Sequence, residues 1–401
     1  MLEDCPELQQ IRKCIEHRGG KLFIVGGAVR DYLLGKNIPH DIDLVITGID
    51  DIFRVKKCLP GDAVFVGKRF PVYRFESCGR SFDVALSRVE KKSGMGHTGF
   101  EVVKTGVSIK LDALRRDFTV NSIYMDLDGT IYDPVGGVDD LKERVLRPVS
   151  NKTFSEDPLR VFRLFRYEVC LGFKPTRTAL KLVKFMSKKE IQSLPIERVI
   201  GEMQRVYNEC PESFSKFILL LDKYDVLRKY YDKYYEFMSI NTVERVNYNK
   251  MKQYGFEFPY AYSTLFLKIP PVSIKNKSIS IIKNYLYFRR SIKLVQFLSK
   301  FDKIIKKPNT ATCYELYNLY KVLVKDKNLL RFLECLYTDK CVKQLYRLVE
   351  YFSEVEKQSL NALGIMRSEL SEKSVREKFL LMVIGVCSYD RGEARLKLSK
   401  C

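Results

Sequence analysis

A chain of 401 residues with 46% hydrophobic content is long enough for two to four domains or subdomains and apolar enough to bury sizeable cores. No run approaches the ~18 apolar residues of a membrane helix, and residues 1–20 mix acids and bases without the apolar segment of a secretory signal. The formal net charge of +21 points to a polyanionic partner held largely by phosphate neutralisation and counterion release.

Up to Val149 the chain alternates apolar runs with Gly- and Asp-rich turns. Runs at 22–25, 44–46, 82–86 and 123–125 are predicted as buried strands. The first lies in Leu22-Phe-Ile-Val-Gly-Gly-Ala-Val-Arg-Asp31, where two glycines separate a strand from an apolar helix. Glycines there let backbone N–H groups approach a phosphate, and a helix start favours negative charge. Gly26, Gly27 and Arg30 are therefore candidate phosphate ligands, although the fragment alone also fits an ordinary strand–turn–helix corner. Next, His40-Asp-Ile-Asp-Leu-Val-Ile46 places Asp41 and Asp43 on one face of a strand. Two such carboxylates repel, and Mg²⁺, a hard ion suited to carboxylates plus substrate phosphates, relieves the repulsion. Two Mg²⁺ ions would activate an attacking hydroxyl and stabilise a leaving pyrophosphate. Asp83, in the 82–86 run, is a candidate third ligand, with a solvated strand residue as the alternative. Gly94-Met-Gly-His-Thr-Gly99 satisfies Gly-x-Gly-x-x-Gly, but no βαβ unit follows, so a dinucleotide site is rejected.

Beyond Pro148 glycine and proline thin out, apolar residues recur every three or four positions, and the remainder is predicted to be mostly helical. Ser155 is the expected N-cap of a helix with Pro158 in its first turn. Further breaks are expected at Pro270-Pro271 and at 306–309, and the basic aromatic stretches 227–235 and 285–290 suit nucleic-acid contact. Eleven cysteines lie scattered with no Cys-x-x-Cys pair, which argues against a zinc site or disulfide framework and for a reducing, cytoplasmic setting.

The Gly-Gly turn, Arg30-Asp31 and the Asp-x-Asp strand together resemble the polymerase-beta-like nucleotidyltransferases. Within them the chain resembles the class II tRNA nucleotidyltransferases (CCA-adding enzymes), relatives of bacterial poly(A) polymerases. Four further blocks match in order: Leu114-Arg-Arg-Asp-Phe-Thr-Val-Asn121, Asp133-Pro-Val-Gly-Gly-Val-Asp-Asp-Leu141, Glu156-Asp-Pro-Leu-Arg-Val-Phe-Arg-Leu-Phe-Arg166 and Pro195-Ile-Glu-Arg-Val-Ile-Gly-Glu202. The resemblance implies an α+β fold: a nucleotidyltransferase head with a mixed sheet over 1–149, a helical neck that reads the incoming base over 150–220, and a helical body and tail that bind tRNA over 221–401. It implies the compact bacterial form, without the phosphohydrolase domain of some relatives. That domain needs clustered histidines, and only His17, His40 and His97 occur here. The implied partners are CTP, ATP and the acceptor arm and 3′ end of tRNA, with no membrane and no protein partner. The rivals are a poly(A) polymerase, an enzyme adding only part of CCA, and an inactive RNA-binding homologue.

In such an enzyme Asp41 and Asp43, with Asp83, would hold the metals, Arg116, Arg163 and Arg166 would contact the nucleotide, and Asp157 with Arg160 would read the base. Helical spacing puts Asp157, Arg160, Arg163 and Arg166 on one slanted ridge. Cytosine and adenine each show an amino donor beside a ring-nitrogen acceptor, which a carboxylate and a guanidinium match. Uracil and guanine present the reverse order and would leave buried groups unpaired. Residues 88–100 look like the family's flexible loop, a lever for the change from adding C to adding A, with Gly94, Gly96 and Gly99 as hinges and Arg88 and Glu90 as polar handles.

Overall fold

A computed structural model describes residues 5–67, 70–94, 99–266, 313–325, 327–336 and 339–363. Gly96, the breaks expected at Pro270-Pro271 and 306–309, and the 285–290 stretch lie outside the described residues. The chain forms two compact units. One comprises the described residues to Val206 with Leu220–Asp232; the other comprises Tyr207–Leu219 and the described residues from Lys233 onward.

The first unit opens with α1 (Pro6–His17), β1 (Lys21–Val25), α2 (Gly27–Leu33), β2 (Asp41–Thr47) and α3 (Ile52–Lys56). Then come β3 (Val64–Val66), β4 (Val72–Ser77), β5 (Arg80–Leu86), β6 (Arg88–Lys92), β7 (Phe100–Thr105) and α4 (Ile109–Leu114). A seven-stranded mixed sheet runs β3-β4-β5-β2-β1-β8-β9, where β8 is Tyr124–Met125 and β9 is Ile131–Tyr132. The four predicted strands correspond to β1, β2, β5 and β8. Within the sheet only β2 and β5 pair in parallel, in a register that sets Asp43 beside Asp83, while antiparallel β1 sets Val25 beside Asp43. Strand alternation buries Ile42 and Leu44 and leaves Asp41 and Asp43 on the open face. Phe23, Val25 and Val45 pack with Ala113 and Tyr124 in the core, and burying each large apolar side chain stabilises the unit by about 1.5–3 kcal/mol.

Disulfide bonding of Cys5, Cys14, Cys58, Cys78, Cys170 and Cys210 overturns the expectation drawn from the scattered cysteines. Cys5 pairs with Cys78 and Cys14 with Cys58, at Cα separations of 5.9 and 5.5 Å. They join the start and middle of α1 to the β4–β5 turn and to the segment after α3. Partners 73 and 44 residues apart meet only because the sheet brings those segments together, so local spacing gave no signal. The ground for inferring a reducing compartment from cysteine usage is thereby removed.

Past β9 the unit continues with α5 (Gly137–Lys142), β10 (Val145–Leu146), α6 (Asn151–Glu156), α7 (Leu159–Leu171), β11 (Lys174–Pro175), α8 (Arg177–Phe185), α9 (Lys188–Gln192) and α10 (Ile196–Glu209). Asp133 caps α5 by accepting from the N–H groups of Gly137 (2.7 Å) and Val138 (2.9 Å). Gly137 is required sterically, since a Cβ there would stand 2.2 Å from the carbonyl oxygen of Thr119. The helix start expected at Ser155 is placed differently. Ser150 caps α6, Ser155 donates back to the Asn151 carbonyl, and the chain breaks at Asp157-Pro158 before α7. Proline forces its predecessor out of the helical region, and Asp157 is extended (φ −119°, ψ 100°). Asp157 thus precedes the ridge that carries Arg160, Arg163 and Arg166.

The chain passes through α11 (Phe214–Lys223) and α12 (Val226–Tyr231) to α13 (Ile240–Val243), α14 (Tyr248–Gln253), α15 (Phe258–Ser263), α16 (Cys313–Lys325), α17 (Lys327–Leu336) and α18 (Asp339–Leu363). The second unit is helical, with an aromatic core in which Phe214 meets Tyr248 at 4.7 Å and the Tyr317 and Tyr320 hydroxyls donate to buried Glu356. No described helix is long and apolar enough to cross a membrane.

Candidate active site

Gly26 turns the chain at the end of β1 with φ +82°, a conformation that favours glycine. A Cβ there would stand 3.3 Å from Asp43 Oδ2, so the turn lies against the acidic pair. Gly27 opens α2, with the Arg30 guanidinium 3.5 Å from where its Cβ would be. Arg30 itself is buried. It donates from Nε and Nη2 to Asp31 (2.9 Å each) and from Nη1 to Asn121 Oδ1 (2.8 Å), so it braces the turn from beneath.

Asp41 is open to solvent, with His40 Nδ1 at 3.3 Å. Asp43 opens onto the same face, yet its carboxyl is raised above the ordinary range, first by desolvation and then by the charge of Asp83, against the pull of Arg116. Asp83 is chelated by Arg74 of β4, Nε to Oδ1 and Nη2 to Oδ2, both at 2.7 Å. A hard divalent cation fits Asp41 and Asp43: both donors are carboxylate oxygens on one strand face, and Asp43 is partly desolvated beside the like charge of Asp83. Asp83 would join them only by exchanging Arg74 for the ion.

Beside the carboxylates a cleft of about 530 Å³ is lined by seven arginines against five acids. Asp43 feels the charges of three of those arginines, Arg116, Arg163 and Arg115. Arg116 is held by a hub that the sequence reading missed. Asp112 of α4, with no exposed surface, accepts from Arg116 Nε (3.1 Å) and Nη2 (3.0 Å), Arg115 Nε (2.8 Å), the Tyr124 hydroxyl (2.8 Å) and the Arg88 N–H (3.1 Å). Burial opposes its ionisation, but Arg116 and Arg115 prevail and hold the carboxyl well below the ordinary range. A readable signal existed: Asp112, in the last turn of α4, stands three and four positions before the two arginines that follow the helix.

The base-reading residues expected at the neck are brought together, with different immediate partners. Asp157 pairs with Arg198 of α10 (3.1 and 3.3 Å) and accepts from the Leu159 N–H (3.1 Å), rather than lying against Arg160. Burial would raise its carboxyl, yet the Arg198 charge and hydrogen bonds keep it below the usual range. Arg160 donates to the carbonyls of Arg115 and Arg116. Arg163 clasps Asp117 (2.7 Å from Nε), whose carboxyl sits at about 2 because Arg163 and Arg160 outweigh burial. Arg166 is buried, donating to Glu202 at 2.7 Å and stacking on Tyr167, so it supports the wall of the cleft.

Much of the expected lever is a β-hairpin. Arg88–Lys92 and Phe100–Thr105 pair as β6 and β7, with a register shift at Val89/Glu90. A Cβ on Gly99 would come within 2.2 Å of the Gly94 carbonyl oxygen, so these two glycines allow strand closure at the tip. Arg88 donates to Glu90 (2.7 Å), Glu90 also meets Arg115 (3.4 Å), and Lys92 donates to the Glu156 carbonyl (2.6 Å), one residue before Asp157.

The first unit thus presents a Gly-Gly turn against strand carboxylates, beside an arginine-lined cleft. Residues 22–147 match the Poly A polymerase head domain, of a superfamily that generally uses divalent metal ions. The multifunctional CCA protein of Acinetobacter baumannii (strain SDF) is 40% identical over 194 residues, 47% of this chain and 45% of that protein. The chain thus spans about half the length of the curated relatives it matches. A solved CCA-adding enzyme in apo form II superposes with a TM-score of 0.67 at 20% identity, over 94% of this chain and 92% of that one. The Thermotoga maritima CCA-adding enzyme complexed with tRNA gives a TM-score of 0.62 at 21% identity, covering 87% and 81%. The chain has the fold of the solved CCA-adding enzymes, and about half of its sequence is similar to the multifunctional CCA proteins.

Proposed function

We propose that this protein adds C, C and A in turn to the 3′ end of tRNA, from CTP and ATP, without a nucleic-acid template. The observation that carries the reading is the junction of two chemistries: Asp43 lies under the charge of cleft arginines, and the same cleft holds Asp157 and Arg160. The likeness to a CCA-adding enzyme complexed with tRNA and the net charge of +21 support tRNA as the polyanion. In this reading residues 1–149 are the catalytic head, 150–220 the neck and 221–401 the tRNA-holding body. The tRNA substrate, rather than the cysteines, is the reason for a cytoplasmic setting.

Asp41 and Asp43 would hold two Mg²⁺ ions, with Asp83 as a third ligand; bound there, the metal supplies Lewis-acid activation of the tRNA 3′-hydroxyl and charge neutralisation at the phosphates. The chain's own part is positioning. Gly26 and Gly27 let the triphosphate approach the α2 backbone, and Arg116, fixed by Asp112, meets its charge. Asp157, kept ionised by Arg198, is an acceptor only. It takes the amino group of cytosine or adenine and repels the carbonyl of uracil or guanine. Arg160 would leave its two carbonyl partners to donate to the ring nitrogen. The bond formed joins the tRNA 3′-oxygen to the α-phosphorus, the bond broken releases pyrophosphate, and the hydroxyl proton passes to solvent.

The test is incorporation on tRNA transcripts lacking CCA, with each nucleotide alone and both together, in Mg²⁺. Labelled product extended by CCA, abolished by EDTA, is expected. Extension by A alone into a long tail, or no extension, would overturn the reading.

A further inference from the structure

Gly201 is the only glycine inside an α-helix among the described residues, since Gly27 and Gly137 stand at helix starts. A glycine in a helix interior weakens folding by about fivefold in equilibrium relative to alanine. Two glycines of the head have a local reason: a positive φ at Gly26 and a backbone contact at Gly137. Gly201 has neither. Its φ is not positive, and beyond the helix's own neighbouring backbone no described atom lies within 4 Å of the point a Cβ would occupy. Gly201 itself lines the cleft. Glu197, Arg198, Gly201 and Arg205 line the cleft from one face of α10, and Arg198 is the residue that holds Asp157. Gly201 therefore stands one turn along α10 from the pair that presents the base-reading carboxylate.

Cytosine and adenine offer Asp157 the same amino edge, but adenine adds a fused five-membered ring on the amino side. We propose that Gly201 is a specificity-determining residue: the space left by its missing side chain admits the purine, so that one cleft accepts adenine as well as cytosine. The inference rests on the nucleotide use proposed above, and it accounts for a helix glycine that the packing around it does not require.

The experiment compares Gly201→Ala and Gly201→Leu with the wild-type chain. C addition is measured on tRNA lacking CCA, and A addition on tRNA ending in CC. Gly201→Leu is expected to lower kcat/KM for ATP by about 5- to 150-fold, the range brought by overpacking a filled site, and to leave CTP within about threefold. Retained C addition also reports that the variant folds. Gly201→Ala should melt no lower than wild type, because alanine favours the helix. Equal losses for both nucleotides, unchanged ATP use by Gly201→Leu, or a markedly lower melting temperature for Gly201→Ala would each overturn the assignment. A wild-type chain that extends neither substrate overturns the functional reading first, and this proposal with it.

Discussion

Replacing Asp112 by asparagine should lower the use of CTP and ATP by the same factor. Asp112 is fully buried and neutralises Arg115 and Arg116 while taking the Tyr124 hydroxyl. Asparagine keeps the shape but removes the charge and turns one acceptor into a donor aimed at donors. Breaking a buried charge pair costs about 3–5 kcal/mol in stability, so chemical denaturation should shift measurably. For activity the relevant loss is the aim of Arg116. One charge-assisted hydrogen bond is worth about 1.5–3 kcal/mol, or about 10- to 150-fold in kcat/KM. Tyr124→Phe deletes one neutral hydroxyl and leaves both guanidiniums paired, so its effect should be about 2- to 12-fold. The carboxyl of Asp112 is depressed in the folded state, so its contribution is fully present above the ordinary carboxylate range and is lost progressively as pH falls from there toward the depressed value. The wild-type advantage over Asp112→Asn should therefore be flat from pH 5 to 8. Steady-state kinetics on tRNA lacking CCA and on tRNA ending in CC decide the matter. Unchanged kcat/KM for both nucleotides, or loss for ATP alone, would refute a phosphate-positioning hub and shift its role to the hairpin that Arg115 touches.

Asp41→Ala or Asp43→Ala should abolish addition of both nucleotides while tRNA binding by filter retention stays near wild type; substantial turnover at saturating Mg²⁺ sinks the metal assignment. Asp157→Ala should raise UTP incorporation relative to CTP, and an unchanged CTP to UTP ratio would locate base reading elsewhere. Because Asp157 is held below the usual carboxylate range, the wild-type CTP to UTP preference should persist as pH falls from 8 to 5; a fall in that window means the group titrates there. Replacing residues 90–98 by a short Gly-Ser linker should stall product after two cytidines, as read on a sequencing gel, and A addition at the wild-type rate would refute the lever.

The sequence alone determined the strands that carry the acids, the helical character of the remainder and the motif residues of the cleft, because those depend on short-range patterns. Alternation of period two places Asp41 and Asp43 together whatever the rest of the chain does, and Gly26 answers a local backbone demand. Tertiary structure alone decided the partners. Helical spacing suggested that Asp157 meets Arg160, but Pro158 breaks the helix and the carboxylate finds Arg198, 41 residues away. Asp83 meets Arg74 across a strand pair, and Cys5 meets Cys78 over 73 residues. Periodicity records which face a side chain lies on; which charge it meets on that face depends on how distant segments pack, and that packing is set by the whole core at once.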